Sequence, residues 1–248
     1  MPEVINGVAI EVVRDYEALS QTAAKWVLSK VAQTPETRLL VPTGTTPEGL
    51  YALLSEEPQE TFDGVTFFNL DEYCEPDDEN GYRFLDEEDT RSYRHYMSSH
   101  ILRALPTIRS FFPGIENVDA PGSYDRLISN SGGIDLAINS IGEDGHVFGF
   151  NIPGSAFDSV TRLIQLNEST RTVNEGLTGA TIPTHAISTG IATGLAAREV
   201  ITILAGERKA DILRRVVWDD ISPAIPATVL RQHPNHTFIV DEAAASKL

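Results

Sequence analysis

The sequence predicts an α/β protein with a single doubly wound domain, in which a mainly parallel sheet carries helices on both faces. Along the 248 residues, short apolar runs alternate with segments of helical periodicity, without a linker or a repeat. The apolar run 134–141 is bounded by glycines and is typical of a buried strand. The small-residue turn 42–47 joins another strand to a helix that proline opens. This order of strand, turn and helix indicates parallel strands that end at one edge of the sheet.

Composition excludes several classes of partner. The formal net charge is −17, which repels nucleic acid and anionic membranes. The single cysteine, Cys74, cannot form an internal disulfide, and no apolar run reaches the length of a membrane span. We therefore expect a cytoplasmic protein that acts on a small molecule. Because the surface also repels phosphorylated metabolites, a phosphate site would need local cations and helix N-termini.

The elements follow from periodicity and from boundary residues. Apolar residues at helical spacing after Asp15, such as Leu19 and Ala23, predict the first helix. Ser92 is a typical N-cap for a helix that runs through Leu102. Strands are predicted at residues 8–13, 37–41, 65–69, 108–112, 134–141, 186–189, 200–205 and 238–240. Further helices are predicted after Pro47, over residues 124–128, and from Gly206, Ile225 and Asp241.

Two segments lack a clear period. Residues 75–90 contain the runs EPDDEN and DEED, which predict a solvated acidic loop. Residues 156–180 have poor hydrophobic periodicity, and we expect them to form a partly mobile lid. The lid would belong to one domain that spans residues 1–248.

The turn after the second predicted strand is a candidate anion site. Gly44 lets a ligand approach the backbone. The hydroxyls of Thr43, Thr45 and Thr46, with the free N–H groups at the helix start, can bind an anion. No Gly-Lys-Ser/Thr follows, so the turn is not a Walker loop. Taken alone, the same residues also fit a plain helix N-cap.

Acidic residues follow the third and the fifth predicted strands. Asp71 and Glu72 come after the third strand, and Asp144 and His146 come after the fifth. Ligands of open α/β sheets bind at the carboxyl ends of the strands. A histidine oriented by a carboxylate can exchange protons near neutral pH, and a second carboxylate can move a proton between adjacent carbons. Considered without the other motifs, the turn that contains Asp144 and His146 also fits a solvated acidic turn with a surface histidine.

Several separated motifs resemble the glucosamine-6-phosphate deaminase family in order and spacing, from about Leu39 to the C-terminus. The motifs are PTGTTPEGLY, FFNLDEY, GIDLAINSIGEDGH, TRTVN, STGIATGLAAREVITILAGERKA and IPATVLRQHPNHTFIVDEAAASKL. The resemblance implies a Rossmann-like fold of the sugar-phosphate isomerase type. It also implies aldose–ketose isomerisation with deamination of glucosamine 6-phosphate to fructose 6-phosphate and ammonia, without a metal or an organic cofactor. The related 6-phosphogluconolactonases share the fold but usually have arginine where Tyr73 stands.

The resemblance implies roles for single residues. Asp71 matches the base that moves a proton from C2 to C1 of the sugar. His146 matches the acid/base that opens the sugar ring, and Asp144 matches the acid that orients it. The residues that match the substrate and phosphate site are Thr43, Gly44, Thr45, Thr46, Glu72, Gly145, Arg171 and Lys209.

One segment departs from the family pattern, which usually reads His-x-x-Phe-Asn-Glu-Pro. Here the segment after His146 has one extra residue, and Ile152 stands where the family has a glutamate of the His–Asp relay. Because segment 149–152 could change the contact to C4 of the sugar, galactosamine 6-phosphate is an alternative substrate. Two further functions fit the same motifs, a 6-phosphogluconolactonase and a non-catalytic sugar-phosphate-binding regulator. We expect a monomer or a small homo-oligomer.

Overall fold

The computed structural model describes residues 2–78, 81–114 and 122–248, with the side chains of all of these except residues 169, 177 and 178. The strands are Glu3–Ile5 (β1), Val8–Val13 (β2), Arg38–Val41 (β3), Thr66–Asn69 (β4), Asp71–Asp77 (β5), Gly81–Phe84 (β6), Arg109–Phe111 (β7), Leu136–Asn139 (β8), Arg162–Gln165 (β9), His185–Ser188 (β10), Val200–Leu204 (β11) and His236–Asp241 (β12). The α-helices are Tyr16–Gln33 (α1), Glu48–Ser55 (α2), Tyr93–Met97 (α3), Ser123–Asn130 (α4), Glu168–Thr178 (α5), Ile191–Leu195 (α6) and Ala210–Trp218 (α7). A π-helical turn, Ser98–Leu102, continues α3, and 3-10 helices occupy Gln59–Phe62, Glu207–Lys209 and Pro226–Gln232. None of the helices in the described ranges is both long and apolar enough to cross a membrane.

The central sheet confirms the predicted doubly wound topology. Within the described residues it has eight strands in the order β1-β2-β12-β11-β8-β3-β4-β7, and all pairs except β1–β2 are parallel. The chain moves outward from β3 through β4 to β7, and then returns to place β8 on the other side of β3. The strand order therefore reverses between β3 and β8, which is where ligands bind in open α/β sheets.

Apolar residues on the two faces of the sheet form two cores. In β3, Leu39 and Val41 join the core that contains buried residues of α1 and α2, whereas Leu40 joins the core that contains residues of α4 and α7. Successive side chains of a strand point to opposite faces. Helices therefore cover both faces of the sheet, as the sequence predicts.

A second, antiparallel sheet was not predicted. In the described part of the chain its strand order is β6-β5-β10-β9, and it includes the predicted strand 186–189. The prediction of a solvated acidic loop over residues 75–90 was wrong for β5 and β6, which pair as a hairpin, whereas residues 85–90 lie outside helices and strands. Residues 79 and 80 of the predicted loop lie outside the described residues. Cationic residues neutralise part of its acidic charge, since Arg83 lies 2.9 Å from Glu75 and Arg91 lies 2.6 Å from Asp89.

The predicted lid has regular structure. Residues 156–180 contain β9, which pairs with β10, and α5, whose N-cap Asn167 accepts a hydrogen bond from the N–H of Thr170 at 2.7 Å. Sequence periodicity did not identify α5, because this helix lacks an apolar stripe. The mobility of this segment stays a prediction.

The predicted helix from Asp241 was also wrong. β12 extends to Asp241, and residues 242–247 form turns. The Asp241 carboxylate accepts hydrogen bonds from the N–H groups of Ala244 at 2.7 Å and Gly206 at 2.9 and 3.0 Å. It therefore joins the end of β12 to the segment before α7 instead of capping a new helix.

Candidate active site

Four neighbouring parallel strands bring the predicted residues to one edge of the central sheet. In spatial order, β4 leads to Asp71, β3 leads to the turn 42–46, β8 leads to Asp144 and His146, and β11 leads to Lys209. The carboxyl ends of parallel strands meet at the same edge. Across the described part of the chain, no group of three or more histidine, cysteine, aspartate or glutamate side chains is placed to hold a metal ion.

Asp144 and His146 form a hydrogen-bonded pair after β8. Asp144 Oδ1 lies 2.7 Å from His146 Nδ1 and also accepts from the His146 N–H at 3.1 Å. The turn needs glycine at position 142, because a Cβ there would lie 2.2 Å from the His146 ring. Burial raises the pKa of Asp144, but the hydrogen bonds and charge of His146 outweigh it and hold this pKa below its ordinary value. An ionised Asp144 that accepts from Nδ1 leaves His146 Nε2 available for a substrate.

Asp71 is the first residue of β5 and is much more buried than Asp144. It is 5% exposed, and burial raises its pKa well above the ordinary value, with a further contribution from the charge of Glu72. Asp71 pairs with Ser188 across the β5–β10 ladder. Gly149, with φ +81°, packs its backbone against both, since a Cβ there would lie 2.8 Å from Asp71 Oδ2 and 2.4 Å from Ser188 Oγ. A raised pKa makes a carboxylate a stronger base.

Glu72 is fully buried and faces the start of α3. Its carboxylate accepts from the N–H groups of Tyr73, Tyr93 and Arg94 at 2.8–3.0 Å and from the Ser92 hydroxyl at 2.9 Å. Burial raises the pKa of Glu72, and these hydrogen bonds work in the opposite direction. The geometry therefore favours an anchor for the N-terminus of α3 over the substrate contact that the sequence predicts.

The turn 42–46 keeps the geometry of an anion site. Gly44 has φ +101°, and no heavy atom lies within 4 Å of the position a Cβ would take. Pro47 is the N-cap of α2 and not its first residue. In the described residues, no acceptor takes a hydrogen bond from the N–H groups of Thr43, Gly44, Thr45 or Thr46. These donors are therefore available to a phosphate.

Lys209 reaches the turn that follows β8. Its ammonium group donates to the carbonyl oxygen of Ile141 at 2.6 Å. Burial lowers the pKa of Lys209, and the nearby carboxylates of Glu143 and Asp144 oppose this change. The structure therefore places Lys209 beside the turn that contains Asp144, and its contact with the phosphate stays a prediction.

The structure does not join Arg171 to this group. Arg171 lies on α5, where its guanidinium contacts Glu175 at 3.4 Å and the carbonyl oxygen of Ile182 at 3.3 Å. Among the described residues, its guanidinium makes no hydrogen bond to the turn 42–46 or to Lys209. Its phosphate contact stays a prediction that requires this side chain to leave Glu175.

The segment after His146, which has one residue more than the family pattern, forms a loop stabilised by hydrogen bonds of Asn151. The Asn151 side-chain amide donates to the carbonyl oxygens of Val147, Phe148 and Thr189 at 2.8–3.0 Å. Phe148 has φ +48°, and its ring leaves no room for a side chain at Gly194. The loop is therefore fixed, and it places the Gly149 backbone against Asp71.

Glu143 points to a different partner from its neighbour Asp144. The side chain of Glu143 is 54% exposed and lies 3.3 Å from Arg208, which is 71% exposed. No hydrogen bond joins Glu143 to His146 in the described residues. This geometry supports Asp144 alone as the carboxylate partner of His146, with Ile152 in the place of the family glutamate.

Sequence reasoning missed two residues beside Asp71. Ser188 accepts from the Phe150 N–H at 2.9 Å, and Gly149 fills the remaining space against the carboxylate. The run Ser-Thr-Gly at the end of the predicted strand 186–189 is the signal that could have identified Ser188. The contact of Gly149 could not be predicted, because it depends on the pairing of β10 with β5.

Comparison with known proteins gives one consistent result. A family model described as glucosamine-6-phosphate isomerases/6-phosphogluconolactonase matches residues 14–239. A glucosamine-6-phosphate deaminase of Rhodopirellula baltica is 38% identical over 98% of this chain and 97% of its own length, and one of Shouchella clausii is 36% identical over 94% and 95%. A solved monomeric glucosamine-6-phosphate deaminase superposes with a TM-score of 0.87 at 31% identity, covering 96% of this chain and 99% of its own. A 6-phosphogluconolactonase from Shewanella baltica superposes with a TM-score of 0.72 at 20% identity, over 96% and 99%, and shares the fold.

Proposed function

The chain belongs to the family of glucosamine-6-phosphate isomerases and 6-phosphogluconolactonases, and from this premise we propose that it converts glucosamine 6-phosphate and water to fructose 6-phosphate and ammonia. One observation carries the proposal. A buried carboxylate with a raised pKa, Asp71, lies at the same sheet edge as the paired Asp144 and His146. Isomerisation needs a base for carbon, and ring opening needs a separate acid/base.

The phosphate is bound first, at the switch point of the sheet. The N–H groups of the turn 42–46 donate to the phosphate oxygens, and Lys209 supplies a positive charge from the segment after β11, the strand on the far side of β8. Arg171 adds a second cation when α5 approaches. Local cations are needed here because the net charge of −17 opposes a dianion at long range.

His146 opens the sugar ring. It moves a proton between the C1 hydroxyl and the ring oxygen, which breaks the bond from C1 to the ring oxygen and gives the open-chain aldehyde. Asp144 holds the histidine through Nδ1 and stabilises the imidazolium that forms.

Asp71 then moves one proton. It takes the C2 proton while O1 takes a proton from water, which gives an enolamine, and it returns its proton to C1, which leaves an iminium group at C2. Water adds to C2, the bond from C2 to nitrogen breaks, and ammonia leaves with fructose 6-phosphate as the product. The dry surroundings of Asp71 support this role, because burial disfavours its charged form and so makes proton uptake favourable.

The relatives favour glucosamine 6-phosphate as the substrate. The chains at 36% and 38% identity are named for glucosamine 6-phosphate, whereas the lactonases compare with this chain at 20% identity or less and share the fold. Lactone hydrolysis also needs no base for a carbon-bound proton, so it leaves the buried Asp71 without a role. We expect the reaction in the cytoplasm, with the enzyme as a monomer or a small homo-oligomer.

An ammonia-release assay tests the proposal. Purified protein is given glucosamine 6-phosphate, galactosamine 6-phosphate or 6-phosphogluconolactone under one set of conditions. We expect ammonia and fructose 6-phosphate from the first sugar, at a kcat/KM at least about tenfold above the other two substrates. Faster lactone hydrolysis, or no ammonia from either aminosugar, would contradict the proposal.

A further inference from the structure

Three tyrosine hydroxyls hold the carbonyl groups of the turn 42–46. Tyr51 donates to the carbonyl oxygen of Pro42 at 2.5 Å, and Tyr96 donates to that of Gly44 at 2.6 Å. Tyr16 lies 3.1 and 3.2 Å from the carbonyl oxygens of Thr45 and Thr46, and also accepts from the N–H of Gly49 at 2.9 Å. The three tyrosines come from α1, α2 and α3, so three helices meet at this turn.

These bonds also fix the N–H groups of the turn. In a trans peptide, the C=O of one residue and the N–H of the next point in opposite directions. A hydroxyl on the carbonyls of Pro42, Gly44 and Thr45 therefore directs the following N–H groups away from the tyrosines. Those N–H groups find no acceptor among the described residues, and the space beside Gly44 is open.

We propose that Tyr16, Tyr51 and Tyr96 are positioning residues that preorganise the backbone donors of the phosphate turn. The inference rests on the proposed function insofar as the turn binds the phosphate of the substrate. Preorganised donors bind an anion without the cost of ordering the turn during binding. The tyrosines do not touch the ligand, and they act through the peptide groups.

The chemistry of Tyr96 fits a permanent donor. Burial raises the pKa of its hydroxyl, with smaller contributions from Glu48 and Tyr16, so it stays protonated at neutral pH. Its ring stacks on His100 with centroids 4.0 Å apart and meets Tyr51 edge-on at 6.4 Å. Because ring packing holds Tyr96 in place, a phenylalanine there removes the hydroxyl and keeps the ring contacts.

The test compares tyrosine-to-phenylalanine variants. Tyr16→Phe, Tyr96→Phe and the double variant are assayed for KM and kcat with glucosamine 6-phosphate, and for the inhibition constant of inorganic phosphate. We expect each single variant to raise KM and the phosphate inhibition constant together by about 3- to 10-fold, with kcat changed by less than about twofold. Tyr124→Phe is the matched control, since its buried hydroxyl donates to the carbonyl oxygens of Asn69 and Phe111 at 2.9 and 3.0 Å, outside the turn. It should leave the phosphate inhibition constant unchanged.

Two outcomes would overturn the inference. One is an unchanged phosphate inhibition constant in the double variant, and the other is an equal rise in Tyr124→Phe. If the double variant does not fold, Tyr16→Phe alone decides, because Tyr16 is 38% exposed and its hydroxyl is not part of a core. Calorimetric binding of inorganic phosphate separates this inference from the function: weaker phosphate binding in the variants supports the tyrosines even if the wild type releases no ammonia.

Discussion

Two aspartates at the same edge of the central sheet, separated by the end of β3, have pKa values shifted in opposite directions. Asp71, after β4, is 5% exposed, and burial raises its pKa. Asp144, after β8, has a side chain that is 32% exposed, and its contact with His146 lowers its pKa. Both lie at the edge where the strand order reverses. The same side chain therefore becomes a proton acceptor in one place and a fixed anion in the other, according to burial and partner.

The difference comes from the second sheet. β10 pairs with β5 and places Ser188 opposite Asp71, while the closed loop after His146 places the Gly149 backbone against the carboxylate. No comparable cover lies over Asp144 in the described part of the chain, where its turn ends at the partly exposed His146. The proposed division of the chemistry between Asp71 as the carbon base and Asp144 with His146 as the ring-opening pair rests on this difference in burial.

The largest expected effect comes from Asp71→Asn. The amide keeps the shape of the site but cannot take the C2 proton, so we expect deamination to fall by at least about 100-fold. Binding of the sugar phosphate should change by less than about tenfold. Steady-state ammonia release and calorimetric binding measure the two quantities. Turnover above a few per cent of wild type would show that Asp71 is not the base.

Asp71→Asn should also change stability in a pH-dependent way. Because the folded pKa of Asp71 lies above its unfolded value, its contribution to stability is fully present below about pH 4 and is lost as pH rises through the folded pKa. At pH 7 the variant should therefore have a higher Tm than wild type, and the difference should shrink as the pH falls toward 4. Thermal unfolding from pH 4 to pH 8 measures the difference. If the Tm difference between Asp71→Asn and wild type is smaller at pH 7 than at pH 4, the folded pKa of Asp71 is not raised.

Asp144→Asn should produce the next largest effect. Without the anion, His146 loses its fixed tautomer and the support for its imidazolium, so we expect kcat/KM to fall by about 10- to 1000-fold. Glu143→Gln is the matched control, because Glu143 lies on the same turn but pairs with Arg208. It should change kcat/KM by less than about twofold. Comparable losses in both variants would make Glu143 part of the relay.

Removal of the two cationic side chains that are predicted to bind the phosphate should mainly raise KM. Lys209→Ala and Arg171→Ala each remove a charge-assisted contact of about 1.5–3 kcal/mol, which corresponds to about 10- to 150-fold in KM. Arg208→Ala serves as the control, since this exposed neighbour pairs with Glu143. The same substitutions should change the weak activity on unphosphorylated glucosamine little. If KM for the phosphorylated sugar is unchanged in both variants, the proposed cations do not bind phosphate.

The smallest expected effect is a gain, from Ile152→Glu. A carboxylate at position 152 would restore the family partner of the ring-opening histidine, and we expect ring opening to become about two- to fivefold faster or the pH profile to broaden toward neutral. The pH dependence of kcat for both proteins measures this. A lower kcat in Ile152→Glu, together with a similar loss in Glu143→Gln, would mean that Glu143 already fills the role.

The sequence predicts the central sheet well because its signals are local. The run 134–141 contains β8, and Asp15 caps α1 by accepting from the N–H of Ala18 at 2.9 Å. The second sheet depends on pairing between β5 and β10, which are distant in the sequence, and on a hairpin whose acidic residues are neutralised by Arg83 and Arg91. The composition of a segment does not show which distant strand or which cation it pairs with.

The site shows the same limit. Strand ends predict the positions of Asp71 and Asp144, whereas Lys209 is assigned only by the family resemblance. Strand ends do not predict that the carboxylate of Glu72 turns to the N-terminus of α3, because that requires α3 to pack beside β5. The hydrogen bonds of Glu72 therefore depend on tertiary packing, and its contact with the substrate stays a prediction.

A deuterium isotope effect tests the division of labour between the two aspartates most directly. The effect on kcat/KM is measured with glucosamine 6-phosphate carrying deuterium at C2, in wild type, Asp71→Glu and Asp144→Asn. In Asp71→Glu the displaced base slows proton transfer, so the isotope effect should rise above that of wild type. In Asp144→Asn ring opening becomes limiting, so the effect should fall toward unity. A rise in Asp144→Asn, or a fall in Asp71→Glu, would contradict the assignment of the carbon base to Asp71 and of ring opening to the Asp144–His146 pair.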